Sequence, residues 1–392
     1  MKFARPLSMA LGVALIASGL FGPRAMAFDP TGSDVADTFL KGLESGGAQD
    51  LSVGSVEQTG ETVVINMLAA TMRQRGEEMS LEAEAIAFTD ASVDATGRIK
   101  AGAMAARNVS MKTDTATFFA ARTAATNVIL VRPRDMGAVA APIDAIGYES
   151  LDITDVRVST EDEGTVPIAR IFSTLERSGK APPTKGTFQI EGIELDPAQL
   201  DDEQAKKTLA ELGYDMLNLS MKASFEWDVL NSRAILENFE ISGDAIGTLS
   251  LSASFGGVTP DVVAKLKQQS HADGELMALA QQITVESIDL RFDNDTIVER
   301  VLDRQAEEAN MERAAFVERL NSSLPRILTL LQNPPFQEKI AAALGTFLSA
   351  PESLQITANP AQALTVGSIA GTAMMAPMAV PLLLGLDIKA NE

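Results

Sequence analysis

Apolar residues recur at every second position in short stretches of the chain, and one extra residue interrupts the alternation in the middle of each stretch. Each stretch follows the pattern apolar-x-apolar-x-x-apolar-x-apolar, and alternation at period two is typical of a strand with one buried face. Three copies are clear: Leu151/Ile153/Val156/Val158, Phe188/Ile190/Ile193/Leu195 and Ile283/Val285/Ile288/Leu290. Four are weaker: Ile86/Phe88/Ala91/Val93, Met104/Ala106/Val109/Met111, Thr123/Ala125/Val128/Leu130 and Ala234/Leu236/Phe239/Ile241.

The extra residue would turn the second half of each strand inside out unless a bulge or bend absorbs it. Asn, Asp and Gly tolerate the left-handed backbone that a bulge often uses. These types dominate the position just before the third apolar residue, which is occupied by Asp90, Asn108, Asn127, Asp155, Gly192, Asn238 or Ser287. The pattern therefore predicts strands that bend at one point each and form a curved sheet.

Two further strands alternate without interruption. Residues 217–227 place Leu, Met, Ala, Phe and Trp on one face, and residues 249–255 place Leu, Ala and Phe there. Asn, Ser, Lys and Glu occupy the intervening positions of these two strands. This alternation is typical of an antiparallel sheet with one apolar face and one wet face.

Helix signals separate the strands and become dominant after Phe292. Asp295 is a candidate N-cap for a helix over 296–309, and Pro325 and Pro335 suit the first turns of helices. The last helix would carry Phe336, Ile340, Leu344 and Phe347 on one face. Two related segments, residues 354–359 and 386–391, look like closing strands. The earlier helices are predicted over residues 34–44, 167–177, 202–212 and 261–269.

These patterns predict an α+β fold, in which a curved antiparallel sheet of bulged strands carries helical excursions and a helical C-terminal region. About 365 residues after a leader would be enough for two domains by the usual length prior. We expect a signal peptide over 1–27, a β-rich domain with strand repeats over 28–200, and an α+β domain with C-terminal helices over 201–392.

An uncharged run extends from Leu364 to Leu386. It could be a membrane span or a membrane-inserting hairpin, or it could be a buried pair of helices that returns to a strand. Pro377 and Pro381 interrupt it, and no basic flank follows it, so its composition differs from that of typical spans. We expect the buried pair of helices, and no stable membrane span in the mature chain.

The N-terminus has the three parts of a secretory signal peptide. Lys2 and Arg5 give a positive start, residues 7–20 are mostly apolar and uncharged, and Ala25-Met26-Ala27 is a small-x-small cleavage site. The apolar run is short for a membrane-spanning helix, which needs about 20 residues. The sequence therefore predicts cleavage before Phe28 and a location in the periplasm.

Charge and cysteine content narrow the possible partners. The chain has 32 Lys and Arg against 53 Asp and Glu, a formal net charge of −21. That charge disfavours nucleic acid and anionic lipid headgroups as partners, although an apolar lipid tail remains possible. The chain has no Cys, which excludes disulfides, cysteine nucleophiles and thiolate metal sites.

Catalytic and metal-binding motifs are weak. The single histidine, His271, lies in a polar segment and has no candidate nucleophile beside it. Asp293-Asn294-Asp295 resembles the start of a calcium loop but lacks the glycine and the distal glutamate, so helix capping is favoured. No glycine-rich phosphate loop is present. We expect a protein that is not an enzyme and that uses no cofactor and no metal.

The segments Phe347–Pro360 and Leu384–Asn391, together with the strand over 249–258, resemble uncharacterised secreted proteins of alphaproteobacteria. The likeness covers the last 180 residues or so and implies no activity, so no residue role is carried over. More loosely, the bent strands resemble those of envelope proteins that shield lipids in a curved β-groove, such as AsmA-like and lipopolysaccharide-bridge proteins. This second likeness is architectural, and architecture alone does not give function.

Two functions fit the pattern. In the first, the protein binds a lipid or another hydrophobic ligand in a groove lined by Phe225, Trp227, Leu251 and Phe255, because ligands prefer apolar concave sites. In the second, it is an envelope scaffold protein with a solid core and an acidic surface that meets a basic partner. The 16 methionines are compatible with core packing or with an adaptable surface for acyl chains.

Overall fold

The computed structural model describes residues 28–74, 77–130, 146–160, 164–177, 183–266 and 273–392. Strands make up 49% and helices 31% of the structure. The described residues group into two units, which are described separately. Unit 1 comprises residues up to 181 together with 188–201, and unit 2 comprises residues 182–187 and 202–392. The predicted signal peptide over 1–27 lies outside the described residues.

Unit 1 is a mostly antiparallel sheet with one helix at its start. Its elements are α1 (Asp34–Ser45), β1 (Ala48–Ser52), β2 (Ser55–Thr59), β3 (Thr62–Gln74), β4 (Glu77–Val93), β5 (Ile99–Thr113), β6 (Ala116–Leu130), β7 (Ile146–Gly147), β8 (Ser150–Thr160), β9 (Gly164–Glu176), β10 (Lys185–Leu195), whose first three residues belong to unit 2, and a 3₁₀ turn (Pro197–Gln199). The antiparallel order runs β3–β4–β5–β6–β8–β9, with β1 and β2 both on β3 and β7 on β6.

Left-handed residues absorb the interrupted alternation in unit 1. Five of the predicted positions have positive φ, namely Asp90, Asn108, Asn127, Asp155 and Gly192, at 48–63°. The register is the same on both sides of the left-handed residue: Thr89 pairs with Ala103 and Ala91 with Ala101. The left-handed residue therefore keeps the apolar side chains of both halves of the strand on one face, and no residue is added to the ladder.

Helix α1 covers part of the apolar face of unit 1. The Ser33 hydroxyl accepts a hydrogen bond from Ala36 N and caps the helix, as a serine at this position typically does. Leu40 is fully buried, and the Phe39 ring meets Phe88 edge-on with centroids 5.4 Å apart. The largest fully buried side chains of this sheet are Val63, Ile65, Leu68, Leu81, Phe88, Phe118, Val128, Ile153, Val156 and Ile190. This face is a closed core.

Unit 2 is an antiparallel meander with helices inserted between its strands. Its elements are α2 (Glu203–Glu211), β11 (Leu217–Asp228), β12 (Arg233–Gly243), β13 (Gly247–Gly256), α3 (Pro260–Leu266), α4 (Asp273–Ala280), β14 (Thr284–Asn294), α5 (Ile297–Glu308), α6 (Arg313–Leu328), a 3₁₀ turn (Thr329–Leu331), α7 (Pro334–Ser349), β15 (Ser353–Ala358), β16 (Leu364–Thr365), α8 (Val366–Met375), a 3₁₀ turn (Pro377–Ala379), α9 (Val380–Leu383) and β17 (Leu386–Ala390). The strand order is β11–β12–β13–β14–β15–β17, with β16 on β14.

Register shifts replace left-handed residues in unit 2. On β12, Glu237 and Asn238 together oppose Ser252 of β13, and on β14 the residue Glu286 is the extra one. Neither Asn238 nor Ser287 is among the positive-φ residues of the described chain. Here the slip is absorbed by a bulge that adds one residue to one strand.

The expected α+β class is wrong: the protein is dominated by a large, mostly antiparallel sheet that is not closed, and its helices are few. The predicted helix over residues 167–177 is strand β9, which pairs with β8 from Ser150–Thr174 to Thr160–Gly164. Ile168 and Ile171 are buried, and this pairing satisfies backbone groups that β8 would otherwise expose. The C-terminal region returns to the sheet through β15 and β17, which pair with each other as the two closing strands.

Of the predicted helix-start residues, Pro335 is confirmed, whereas Asp295 and Pro325 are not at the predicted positions. Thr296, and not Asp295, precedes α5, and the Asn294 side chain accepts the hydrogen bond from Val298 N. Pro325 lies inside α6, whereas Pro335 is in the first turn of α7 as predicted. No helix among the described residues is long and apolar enough to cross a membrane.

Candidate functional site

The four residues predicted to bind a ligand lie on one apolar face of unit 2. Phe225 and Trp227 are on β11, and Leu251 and Phe255 are on β13. Cross-strand pairs connect them through β12: Ala234 stands opposite both Trp227 and Phe255. Because side chains two apart in a strand share a face, the structure brings the four together on one side of the sheet.

Trp227 anchors one end of this face. It is buried, its indole Nε1 donates a hydrogen bond to Val258 O at 2.8 Å, and its backbone N donates to Thr184 O at 2.6 Å. Val258 and Val262 are also buried at this end, where α3 begins. A buried tryptophan whose N–H is satisfied in this way has a packing role. Trp227 therefore closes the apolar face and does not line its open part.

The middle of the face is open. Four large apolar side chains on it are 37–41% exposed: Phe225, Ile241, Leu249 and Ile356. Ile241 pairs with Leu249 across β12 and β13. Leu251 and Phe255 follow Leu249 along β13 toward the end that Trp227 closes, and both are half-buried. We call the set of Phe225, Ile241, Leu249, Leu251, Phe255 and Ile356 the open apolar face.

Helix α7 covers the neighbouring edge of the same face. The ring of Phe347, which is buried, meets Phe292 of β14 edge-on with centroids 6.3 Å apart. At the other end of α7, Lys339 Nζ lies 2.9 Å from Asp387 Oδ1 on β17. This hydrogen bond holds the pKa of Asp387 below its ordinary value. The helix is thus fixed to the sheet at β14 and β17, and it leaves Ile356 of β15, which lies between these two strands, 37% exposed.

A cleft of about 340 Å³ between α7 and β17 differs from the open apolar face. Lys339, Asp387, Lys389 and Glu392 contribute to its wall together with Ala and Ile side chains. Lys389 Nζ already binds Glu392 Oε2 at 2.6 Å. A wall of paired charges does not suit a long apolar ligand.

The opposite face of this sheet is polar and paired. Arg233 Nε donates to Glu286 Oε2 at 2.6 Å, and Ser254 donates to the same carboxylate at 2.8 Å. Arg291 binds both carboxylate oxygens of Asp293, which raises the pKa of the Arg291 guanidinium. These partly exposed pairs explain the alternating Ser, Glu and Arg positions as a solvated face.

The acidic residues considered for calcium binding have hydrogen-bond partners within the protein, and the single histidine lies outside the described residues. Asp295 Oδ2 accepts a hydrogen bond from Ala245 N at 2.9 Å, and Asp293 is occupied by Arg291. Within the described ranges, no group of three or more His, Cys, Asp or Glu is arranged to hold a metal ion. His271 lies outside the described residues. The calcium-like sequence over 293–295 is therefore a strand end that joins α5 to the β12–β13 turn.

Sequence reasoning missed part of the open apolar face. Ile241, Leu249 and Ile356 occupy apolar positions of recognised strands, but nothing in the sequence distinguishes an uncovered position from a covered one. Their pairing partners, Met221, Phe292 and Ile388 among them, are equally apolar. Only the placement of α7 and α3 decides which residues stay exposed.

A protein-family model matches the C-terminal part of the chain. A family model described as "Uncharacterized protein" matches residues 240–391, less than half of the chain. The matched range begins in β12 and ends just after β17, so it includes Leu251 and Phe255 and excludes Phe225 and Trp227. No curated protein matches the chain.

Proposed function

We propose that this protein binds a lipid or another hydrophobic ligand on the open apolar face of unit 2, without catalysing a reaction. The observation that carries the proposal is the 37–41% exposure of Phe225, Ile241, Leu249 and Ile356 on a single sheet face. Scattered exposed apolar residues are common, but a contiguous apolar patch on a soluble protein marks a binding surface.

The shape of the face suits an extended apolar ligand. Ile241 is on β12 and Ile356 is on β15, three strand spacings apart, or about 14 Å. The row that joins Ala223, Phe239, Leu251, Leu290, Ile356 and Ile388 across the strands contains no polar side chain. An acyl chain laid along such a row would gain about 25 cal/mol for each Å² of apolar surface removed from water.

The proposed cellular location and the resemblance to other proteins both come from the sequence. We place the protein in the periplasm, because residues 1–27 have the three parts of a signal peptide. The resemblance to secreted alphaproteobacterial proteins and, more loosely, to AsmA-like envelope proteins is compatible with a lipid ligand. The formal net charge of −21 points to a ligand that is bound through its apolar part.

Mass spectrometry of organic extracts from the purified protein tests the proposal. Leu249→Asp puts a carboxylate in the open apolar face, and Leu230→Asp puts one in the β11–β12 turn, where Leu230 is 96% exposed. We expect a co-purifying long-chain molecule in the unaltered protein and in the Leu230 variant, and its loss from the Leu249 variant. Clean extracts from all three, with a protein partner recovered by crosslinking, would favour the envelope scaffold instead.

A further inference from the structure

The uncharged run from Leu364 to Leu386 does not form the buried pair of helices that the sequence favours. It folds as β16, α8, a 3₁₀ turn and α9, and of its helical residues only Gly367 is buried. Met374, Met375 and Leu382 are 84–87% exposed, and Met378 is 45% exposed. Apolar side chains gain free energy when they are removed from water, and the described part of the chain does not bury these.

Further exposed apolar residues lie beside this segment. Asn333 Nδ2 donates a hydrogen bond to Met378 O at 3.1 Å, which holds the start of α7, directly after the end of α6 and its 3₁₀ turn, next to the segment. That end carries Ile327 and Leu331, both exposed. We call Ile327, Leu331, Met374, Met375, Met378 and Leu382 the methionine patch. It shares no residue with the open apolar face.

The charge of the segment favours an apolar, uncharged occupant. No Asp, Glu, Lys or Arg occurs from Leu364 to Leu386, so the segment has no charge to match with a charged protein surface. A second copy would bring its own net charge of −21 against this one, which opposes self-association. Three side chains that project almost completely from short helices can be surrounded by fluid acyl chains. The same net charge disfavours anionic headgroups.

The length of the helices sets the depth of the contact. Helix α8 has ten residues and is about 15 Å long, half of the roughly 30 Å hydrocarbon core of a bilayer. Pro377 and Pro381 break the run after it. We propose that the methionine patch docks the protein on the surface of a zwitterionic lipid bilayer, with Met374, Met375 and Leu382 inserted among the acyl chains. This proposal does not rest on ligand binding at the open apolar face.

Vesicle binding tests the proposal with phosphatidylcholine vesicles and the purified protein. The variant Met374→Gln/Met375→Gln/Leu382→Gln keeps side-chain size and helix propensity while removing the apolar surface. We expect its partition coefficient to fall about 1000-fold, because each of the three embedded side chains contributes about tenfold. Leu230→Gln, an equally exposed position in the β11–β12 turn, is expected to stay within about twofold. Added phosphatidylglycerol should weaken binding of the unaltered protein.

A second measurement does not depend on how the triple variant folds. Because the chain has no Cys, Met375→Cys and Leu230→Cys each offer one site for an environment-sensitive fluorophore. The emission from residue 375 should shift to the blue when vesicles are added, and that from residue 230 should not. No shift at either position, or vesicle binding unaffected by the triple substitution, would overturn the proposal. Self-association that the triple substitution abolishes, without vesicle binding, would assign the patch to a second copy of the chain.

Discussion

The two units use the same alternating strands and bury them differently. In unit 1, the long strands β3–β6 and β8–β10, of 11–17 residues, put their apolar side chains into a core where the largest are 2% exposed or less. In unit 2, the strands β11–β14, of 10–12 residues, and the shorter β15 and β17 carry an equally apolar face, and α7 and α3 cover only parts of it. Alternation thus fixes which face of a strand is apolar, whereas the covering elements decide whether that face is a closed core or stays exposed.

The units also differ in how they absorb the interrupted alternation. Unit 1 uses left-handed Asp, Asn and Gly residues, and the register of β4–β5, β5–β6, β6–β8 and β8–β9 is constant, while unit 2 shifts register at β12 and β14. A left-handed residue leaves both strands the same length, so long strands can continue across it. A bulge adds a residue to one strand and increases the local twist.

The largest expected effect contrasts one isoleucine from each unit. Ile153 is 2% exposed in the closed core of unit 1, and Ile241 is 41% exposed on the open apolar face. Ile153→Asp buries an unpaired charge and should lower the free energy of unfolding by about 4 kcal/mol or more. Ile241→Asp should lower it by about 1 kcal/mol or less, since water still reaches the carboxylate. Urea unfolding followed by circular dichroism measures both, and equal losses would mean that the two faces are equally closed.

A smaller loss of stability should distinguish the left-handed residues of unit 1 from the bulges of unit 2. Asp155 has φ 54° and Asn238 is not left-handed. Asp155→Val should cost about 1–2 kcal/mol of stability, because a β-branched residue tolerates this conformation poorly, while Asp155→Gly should cost little. Asn238→Val should be nearly neutral on the same scale. Thermal unfolding of the three variants checks the order, and a costly Asn238→Val would contradict the distinction.

The smallest expected effect is a pH dependence of α7 docking in unit 2. The Lys339 ammonium holds the pKa of Asp387 below its ordinary value, so the ionised carboxylate stabilises the folded state. This stabilisation is complete above the ordinary carboxylate pKa, roughly pH 4, and is lost as the pH falls through the lower folded-state pKa. The pair is partly exposed, so we expect only a few tenths of a kcal/mol. Asp387→Asn should remove this contribution, and an unchanged acid unfolding curve would show that the pair does not contribute.

Much of the fold could be predicted because its signals are local. Asp90, Asn108, Asn127, Asp155 and Gly192 combine a phase slip with a residue type that accepts positive φ, and all five adopt it. The helix predicted over 167–177 failed because the partner strand that selects an extended conformation there is provided by tertiary pairing. Propensity is a weak guide when such a partner is present.

Only part of the candidate site could be predicted from the sequence, for the same reason. Phe225, Leu251 and Phe255 lie on the open apolar face as an alternating pattern can indicate, but Trp227 is buried and its indole is hydrogen-bonded to Val258 O. The exposure of Ile241, Leu249 and Ile356 depends on where α7 ends its contact with the sheet. The exposure of Met374, Met375 and Leu382 likewise depends on tertiary packing, because the sequence favours burial of any uncharged run.

Site-specific photocrosslinking at Leu249 distinguishes ligand binding on the open apolar face from a scaffold role. A photoreactive phenylalanine analogue at Leu249 faces the proposed ligand, and the same analogue at Leu230 faces solvent in the β11–β12 turn. Illumination of cells followed by intact-mass measurement should give an adduct with the mass of a long-chain lipid or similar hydrophobic molecule at residue 249 and none at residue 230. A protein adduct at residue 249, or no adduct at either position, would contradict ligand binding on the open apolar face.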